Sequence, residues 1–344
     1  MKNYDVIIIG AGPAGCSAAI SCAQHGLKVA IIERLFFPRH RPGETLHPGI
    51  EPLLHKLGVI DNVLNDGFIR PTGNWVKWEK ERTFVAFGND SSGNTWRGFQ
   101  IPRAALDGLL LARAIALGVQ VLQPCHAQKV LLEKGRVIGI QTQAEQLFCW
   151  QLIDASGAHG WLVRQLRLTT RRYSPALTAL YGYKRGNIEE SALGIFADRL
   201  GWYWTAHIGP QMYTWTRLYF AHDQVCKASA APESFAELAC AGKTQGADVT
   251  WRACNPSAGN GYFIIGDAAT VLDPGASHGV LRALMSGMMA AQCIVDEHAA
   301  PANKHTISMQ YHQWIQGWFE RDVQKMLEFY AVHPFAPHWL NKRL

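Results

Sequence analysis

The residues of this 344-residue chain that could do chemistry fall into three stretches. The first is Gly10-Ala-Gly12-Pro13-Ala14-Gly15, which follows the apolar run Val6–Ile9 and opens a small-residue helical stretch, Cys16–Gln24. Gly10 suits a tight turn, Gly12 lets backbone approach a pyrophosphate, and Gly15 lets the helix pack close to the sheet. The start of such a helix offers phosphate its free N–H groups and a positive dipole end. Glu33, with Arg34 beside it, closes a second apolar run, Leu27–Ile32. It stands 18 residues after Gly15, where an acidic side chain hydrogen-bonds an adenosine ribose. The second stretch is Arg41-Pro42-Gly43-Glu44-Thr45-Leu46-His47-Pro48, turn formers flanking side chains that can hold or move protons. The third is Gly266-Asp267 and Asp273-Pro274-Gly275-Ala276-Ser277-His278-Gly279, lying between the apolar run Tyr262–Ile265 and a helix expected from about Val280 to Asp296. A second loop-to-helix start, about 250 residues after the first, suits a long extended ligand. A nicotinamide dinucleotide would use one Rossmann half-pair in succession.

The elements that must position these residues are legible in outline. The apolar runs read as buried parallel strands with a helix between them. A further helix is expected from Pro102 to about Leu117, apolar at 106, 109, 110 and 117. Trp75–Trp78, Thr83–Phe87 and Met212–Phe220 alternate and are rich in aromatic and β-branched residues, as strands are. An amphipathic helix is expected from Thr306 to Tyr330, with Ile307, Tyr311, Trp314, Trp318, Val323 and Leu327 near one side. The fold class is therefore α/β: a Rossmann-like cofactor domain, an inserted antiparallel β-sheet domain for substrate, and a C-terminal helix. The expected boundaries are 1–70, 97–170 and 256–300 for the discontinuous cofactor domain. They are 71–96 and 171–255 for the β-rich domain, and 301–344 for the helical tail.

Composition narrows the class. Hydrophobic residues make up 48% and charged residues 17%, enough to bury a sizeable core. The formal net charge is +6 without a run of like charges, so nucleic-acid binding is not expected. Eight cysteines show no CxxC pair and no zinc spacing, and no metal is expected. The chain starts without the pattern of a signal peptide, and no apolar stretch is long enough to span a membrane. A cytoplasmic location is expected.

Together the three stretches resemble the FAD-binding domain of glutathione-reductase-type flavoproteins. The likeness is to the branch holding para-hydroxybenzoate hydroxylase, geranylgeranyl reductases and flavin-dependent halogenases. Asp154-Ala-Ser-Gly157 and Phe99-Gln100-Ile-Pro-Arg103 match two further family segments. The resemblance implies FAD as cofactor, with Asp267 on its ribityl chain. By the same resemblance the Pro274, Gly275, Ser277, His278 and Gly279 loop would face the pyrimidine, and Arg103 would be aimed at the cofactor. It adds Arg41, Gly43, Glu44, Thr45, Gln100, Asp154, Gly157 and Gly266 to the glycines, Pro13, Ala14, Glu33 and Arg34 of the cofactor set. Phe36-Phe-Pro-Arg39, Arg41–Pro48, Trp96–Arg103 and Leu272–Leu284 are similar to flavoproteins that mature tryptophylquinone enzymes.

By that resemblance the expected reaction is monooxygenation of an electron-rich aromatic through a flavin C4a-hydroperoxide. The substrate would be free or a tryptophan of a partner protein, and the electron donor NAD(P)H or a reductase. His47, Glu44 and His278 are the candidate acid–base residues. The alternative is a flavin-dependent halogenase. Gly201-Trp202-Tyr-Trp204 begins like the halogenase Trp-x-Trp-x-Ile-Pro motif, but Thr205-Ala206-His207 follows. Halogenases also need a lysine to relay the hypohalous species, and Lys77, 33 residues after Glu44, is the candidate. A geranylgeranyl-reductase-like role is a further alternative. Six of the twelve tryptophans (75, 78, 96, 202, 204 and 215) fall in the expected substrate segments, where aromatic walls suit a planar ring.

Overall fold

The computed structural model describes residues 2–78, 81–221, 224–226 and 230–340. Strand β1 (Lys2–Ile9), helix α1 (Pro13–Gln24) and strand β2 (Val29–Ile32) form a parallel β-α-β unit. The strands are buried on both faces, as continuous Val/Ile runs demand. The parallel strands of this first sheet run in the order Tyr262–Ile264, Gln146–Asp154, β1, β2, Gln120–Leu122. Ile9 pairs with both Ile32 and Asp154, and Asp154 with Ile264. The residues that follow therefore converge: Gly10, Glu33, Ala155 and Ile265 share one edge, at the carboxyl ends of the strands, where open α/β sheets bind ligands.

Helix α2 (Arg103–Ala116) feeds Gln120–Leu122, and α3 (Gly279–Ala299) lies against α1. Small residues are the reason α1 and α3 can touch. A Cβ added at Gly287 would stand 2.1 Å from Ser17 Oγ and 2.4 Å from the Ala14 carbonyl oxygen.

A second sheet runs Ala239–Cys240, Thr178–Arg185, Met212–Tyr219, Gly201–Gly209, Gly194–Asp198, Gly73–Lys77, Thr83–Ala86. It is antiparallel except where Gly194–Asp198 pairs with Gly73–Lys77. Helix α4 (Lys304–Ala331) bridges the two layers. Its Tyr311 and Ile315 join the core of the first sheet, while Phe319, Val323, Met326 and Tyr330 join Trp202 and Trp251 under the second. The chain is thus the α/β fold expected, a Rossmann-like layer with an antiparallel sheet and a C-terminal helix. The buried stripe of α4 is Ser308, Tyr311, Ile315, Phe319, Asp322, Val323, Met326 and Tyr330; Tyr311 and Val323 are as expected, while Ile307 and Leu327 are only partly buried. Trp314 and Trp318 flank it: Trp314 packs against the first core from the edge of the stripe, and Trp318 meets Trp314 edge-on.

No helix of the described residues is long and apolar enough to cross a membrane. None of the His, Cys, Asp and Glu side chains among them cluster in a way that could hold a metal ion.

Candidate active site

A single elongated cleft of about 1500 Å³ runs from the carboxyl edge of the first sheet to the face of the second. At one end Gly10 turns with φ +104°, and a Cβ there would sit 2.5 Å from the Ala155 carbonyl oxygen. A Cβ on Gly15 would sit 1.9 Å from the Gly10 carbonyl oxygen, so this glycine acts in packing and does not line the cleft. Gly12, Pro13 and Ala14 do line it, and the α1 N-terminus has no side-chain cap, leaving its N–H groups for a ligand. Glu33 is buried. Its carboxylate accepts from the Ala11 N–H at 2.8 Å and the Leu35 N–H at 2.9 Å, and pairs with Arg39 at 3.3 Å. Arg34 and Gly157 share this end, as do Cys125, His126 and Trp161.

Several expected cofactor residues act behind the cleft wall. Asp154 is buried and accepts the N–H groups of Ser156 (2.9 Å) and Leu162 (2.7 Å), so it shapes the 155–162 loop from beneath. Burial pushes its carboxyl up. Gln100 is buried too, accepting the Thr45 hydroxyl at 2.8 Å and so fixing the Glu44 loop. Gly266 leaves room for Ala14, which a Cβ would approach to 2.9 Å. Arg103 reaches the cleft, but its guanidinium is already held by Asp107 (3.0 and 3.2 Å) and donates to the Pro42 carbonyl at 2.9 Å. Asp107 also faces Arg39 at 3.7 Å. Sequence reasoning missed this buried carboxylate under two arginines. The one available signal was an Asp four residues into an otherwise apolar helix face, at i+4 from Arg103.

Asp267 opens into the cleft and makes no side-chain hydrogen bond among the described residues, while the protein around it pushes its carboxyl up. A long cleft with an acid at one end, uncapped helix N–H groups, and an unpartnered carboxyl further along fits an extended dinucleotide such as FAD.

The candidate acid–base residues separate. Glu44 lines the cleft, buried. Its carboxylate accepts the Tyr183 hydroxyl at 2.5 Å and the Gly43 N–H at 2.9 Å, and burial raises it despite those bonds. Tyr183 belongs to the second sheet, so this contact ties the two layers together.

His47 and His278 lie off the cleft lining and meet edge-on, ring centroids 5.3 Å apart. His47 Nδ1 accepts the Gly49 N–H at 3.0 Å, and His278 Nδ1 lies 3.4 Å from Asp322. Burial, with His278 and Lys325 nearby, lowers His47. Both histidines therefore support the loops, as local bonding of a turn histidine does. Lys77 is exposed and does not line the cleft; strand alternation sends Val76 and Trp78 there instead.

The far half of the cleft is aromatic. Trp202 and Trp204, two apart on one strand, line it with Trp78 and Phe329. Of the other expected tryptophans, Trp215 is buried on the opposite face of the sheet, Trp75 packs against Phe84, and Trp96 is exposed. Asp273, Pro274, Gly275, Ser277 and Gly279 form the wall between the halves.

Comparison with known proteins agrees with this geometry. The profile of the FAD binding domain family matches residues 3–180. The chain is 26% identical to a tryptophan 2-halogenase of Chondromyces crocatus, over 96% of this chain and 69% of that one. It is 27% identical to a 1H-pyrrole-2-carbonyl peptidyl-carrier-protein brominase of Pseudoalteromonas luteoviolacea, over 97% and 87%. The structure of the flavin-dependent brominase Bmp2 superposes with a TM-score of 0.85, at 24% identity, covering 97% of this chain and 88% of that one.

Proposed function

The chain belongs to the FAD binding domain family and is an FAD-dependent enzyme, and on that premise we propose that it halogenates an electron-rich aromatic ring. The observation that carries this reading is the wall of Trp78, Trp202 and Trp204 in the same cleft as the Gly10–Gly15 turn. Halogenase relatives matching more than nine-tenths of the chain support it. Gly12 and the α1 N-terminus would hold the diphosphate, Glu33 a ribose, and Asp267 the ribityl chain. Bound and reduced, FAD supplies the activation of dioxygen that such oxidations need. The chain's own residues do the rest. Trp78 and Trp204, partly exposed and backed by the buried Trp202, would take a planar ring and exclude water around it. The N-terminus of α3, behind Gly279, would offer its positive dipole end to negative charge on a bound flavin. Glu44, with its carboxyl raised by burial and held by Tyr183, is placed to carry a proton at the cleft wall.

A second reading, oxygenation of the ring, is favoured by one observation: Lys77 points away from the cleft. Thr205-Ala206-His207 in place of the Ile-Pro motif leans the same way. The tryptophylquinone role gains no support from the relatives named above. Reducing equivalents would come from a reductase or from NAD(P)H docking transiently.

The test supplies the FAD-loaded chain with a flavin reductase, dioxygen and an indole, with and without bromide, and weighs the product. The bromine isotope doublet in the product supports halogenation. A gain of one oxygen atom regardless of bromide replaces it with oxygenation.

A further inference from the structure

We propose that Trp202, Tyr330, Asp273, Trp251 and Trp339 form a relay that carries an oxidising equivalent from the cleft to the protein surface. The proposal rests on FAD binding and is independent of whether halogen or oxygen is transferred.

Trp202 lines the cleft, and its ring lies against Gly275 of the loop between the two halves: a Cβ there would be 3.3 Å from Trp202 Cζ2. Its indole N–H donates to the Tyr330 hydroxyl at 2.9 Å. That hydroxyl donates in turn to Asp273 Oδ2 at 2.8 Å, and the Trp251 indole N–H donates to the same oxygen at 2.6 Å. Trp251 stacks on Tyr330 at 5.9 Å between centroids, and Trp339 meets Trp251 at 5.3 Å and Tyr330 at 6.3 Å. Trp202, Tyr330 and Trp251 are fully buried, whereas Trp339 is only partly buried. A structural network alone would need these hydrogen bonds. It would not need an unbroken series of oxidisable rings, each in contact with the next, ending at a partly exposed one.

The phenol makes the relay workable. A tyrosine that loses an electron must also lose its proton, and here the proton has one short path, to Asp273 Oδ2. The steps balance. Light-excited FAD in the cleft, the one-electron oxidant, takes an electron from Trp202 and is itself reduced by one electron, and Trp202 takes one from Tyr330. The phenolic O–H breaks as its proton passes to the Asp273 carboxylate, leaving a neutral tyrosyl radical beside a carboxylic acid. Trp339, directly or through Trp251, returns an electron to Tyr330, and Asp273 returns the proton. The deficit then sits on Trp339, where a thiol in solution fills it. Burial brings Asp273 up to about 6, so above that pH it is a carboxylate ready for the proton. The groups facing it are Tyr330 of α4, Trp251, the Gly275 N–H at 2.9 Å and, through its charge, Arg282 of α3. The use of such a path is protective: an oxidising equivalent produced when bound flavin absorbs light drains outward and leaves the cleft tryptophans intact.

The experiment excites the FAD of the loaded full chain with a blue flash, without oxygen, so that the light-excited flavin is the oxidant. Transient absorption and freeze-trapped electron paramagnetic resonance then read the radicals. The wild type is expected to give a neutral tyrosyl radical whose yield falls as pH drops through about 6. Tyr330→Phe is expected to abolish it. In Trp339→Phe it should outlive the wild-type signal several-fold and no longer be quenched by added thiol. Melting temperature and FAD affinity are measured on each variant. Should Tyr330→Phe fail to fold, Trp202→Phe cuts the first step and is expected to lose the same signal. A wild type with FAD bound but no tyrosyl radical, or an undiminished one in either variant, overturns the relay.

Discussion

Burial of charge governs the energetics at the scale of single residues. Asp107 lies fully buried beneath Arg103 and Arg39, and removing it would strand two cations in a low-dielectric interior. Asp107→Ala is expected to cost about 3–5 kcal/mol, read as a lower urea midpoint, together with weakened FAD binding as the Glu44 loop loosens. Asp273 gives a pH-dependent counterpart. Its carboxyl rises from 3.8 to about 6 through burial, so between those values the folded protein keeps a proton that the unfolded chain has released. Stability therefore falls as pH rises through that window. Asp273→Asn should flatten this slope in melting curves taken across it. His47 acts with the opposite sign. Burial lowers it, so below its ordinary 6.5 the unfolded chain binds the proton first and stability falls as pH falls. His47→Gln is expected to remove that acid-side loss.

Helices and loops show why small residues sit where they do. The Gly10–Gly15 turn and the α1–α3 contact both depend on missing Cβ atoms, with approaches under 2.6 Å that no side chain could occupy. Gly15→Ala would drive a methyl into the Gly10 carbonyl. The outcome expected is loss of flavin absorbance in the purified protein, or no folded protein at all. Helix α4 holds the loop before α3 at both ends, through Tyr330 on Asp273 and Asp322 on His278. It also carries the fully buried Phe319 into the second core. Phe319→Ala should cost about 3–5 kcal/mol by calorimetry, a core cavity's worth, without changing the cleft lining.

Across the whole molecule, function follows from bringing two sheets edge to face. The dinucleotide end and the aromatic end belong to different layers, and Glu44 with Tyr183 is a direct bond between them. Trp204→Ala, on the cleft face of the second sheet, is expected to raise KM for an aromatic substrate several-fold while leaving FAD affinity at the other end unchanged. Titrating flavin fluorescence alongside steady-state kinetics separates the two effects.

The sequence alone determined the first layer. Its strand runs, glycine spacing and acid at the end of β2 obey local rules, since continuous burial selects Val and Ile and each turn selects its own glycine. It also pointed to an extended ligand, since loop-to-helix starts stand toward both ends of the chain. Only the tertiary structure decided which side chains share the cleft. Lys77 and Val76 are one residue apart, and only strand pairing could send one to solvent and the other to the wall. His47 and His278 sit in the loops that the motifs pointed to, yet they turn toward each other and α4. Tyr183, Asp107 and Tyr330 carried no motif of their own. Tyr183 and Tyr330 matter through partners 139 and 57 residues away, and contacts at such separations are set by packing of whole elements, to which local patterns are blind. Asp107 pairs with Arg103 only four residues away, but its burial and its second arginine, Arg39, come from the tertiary structure.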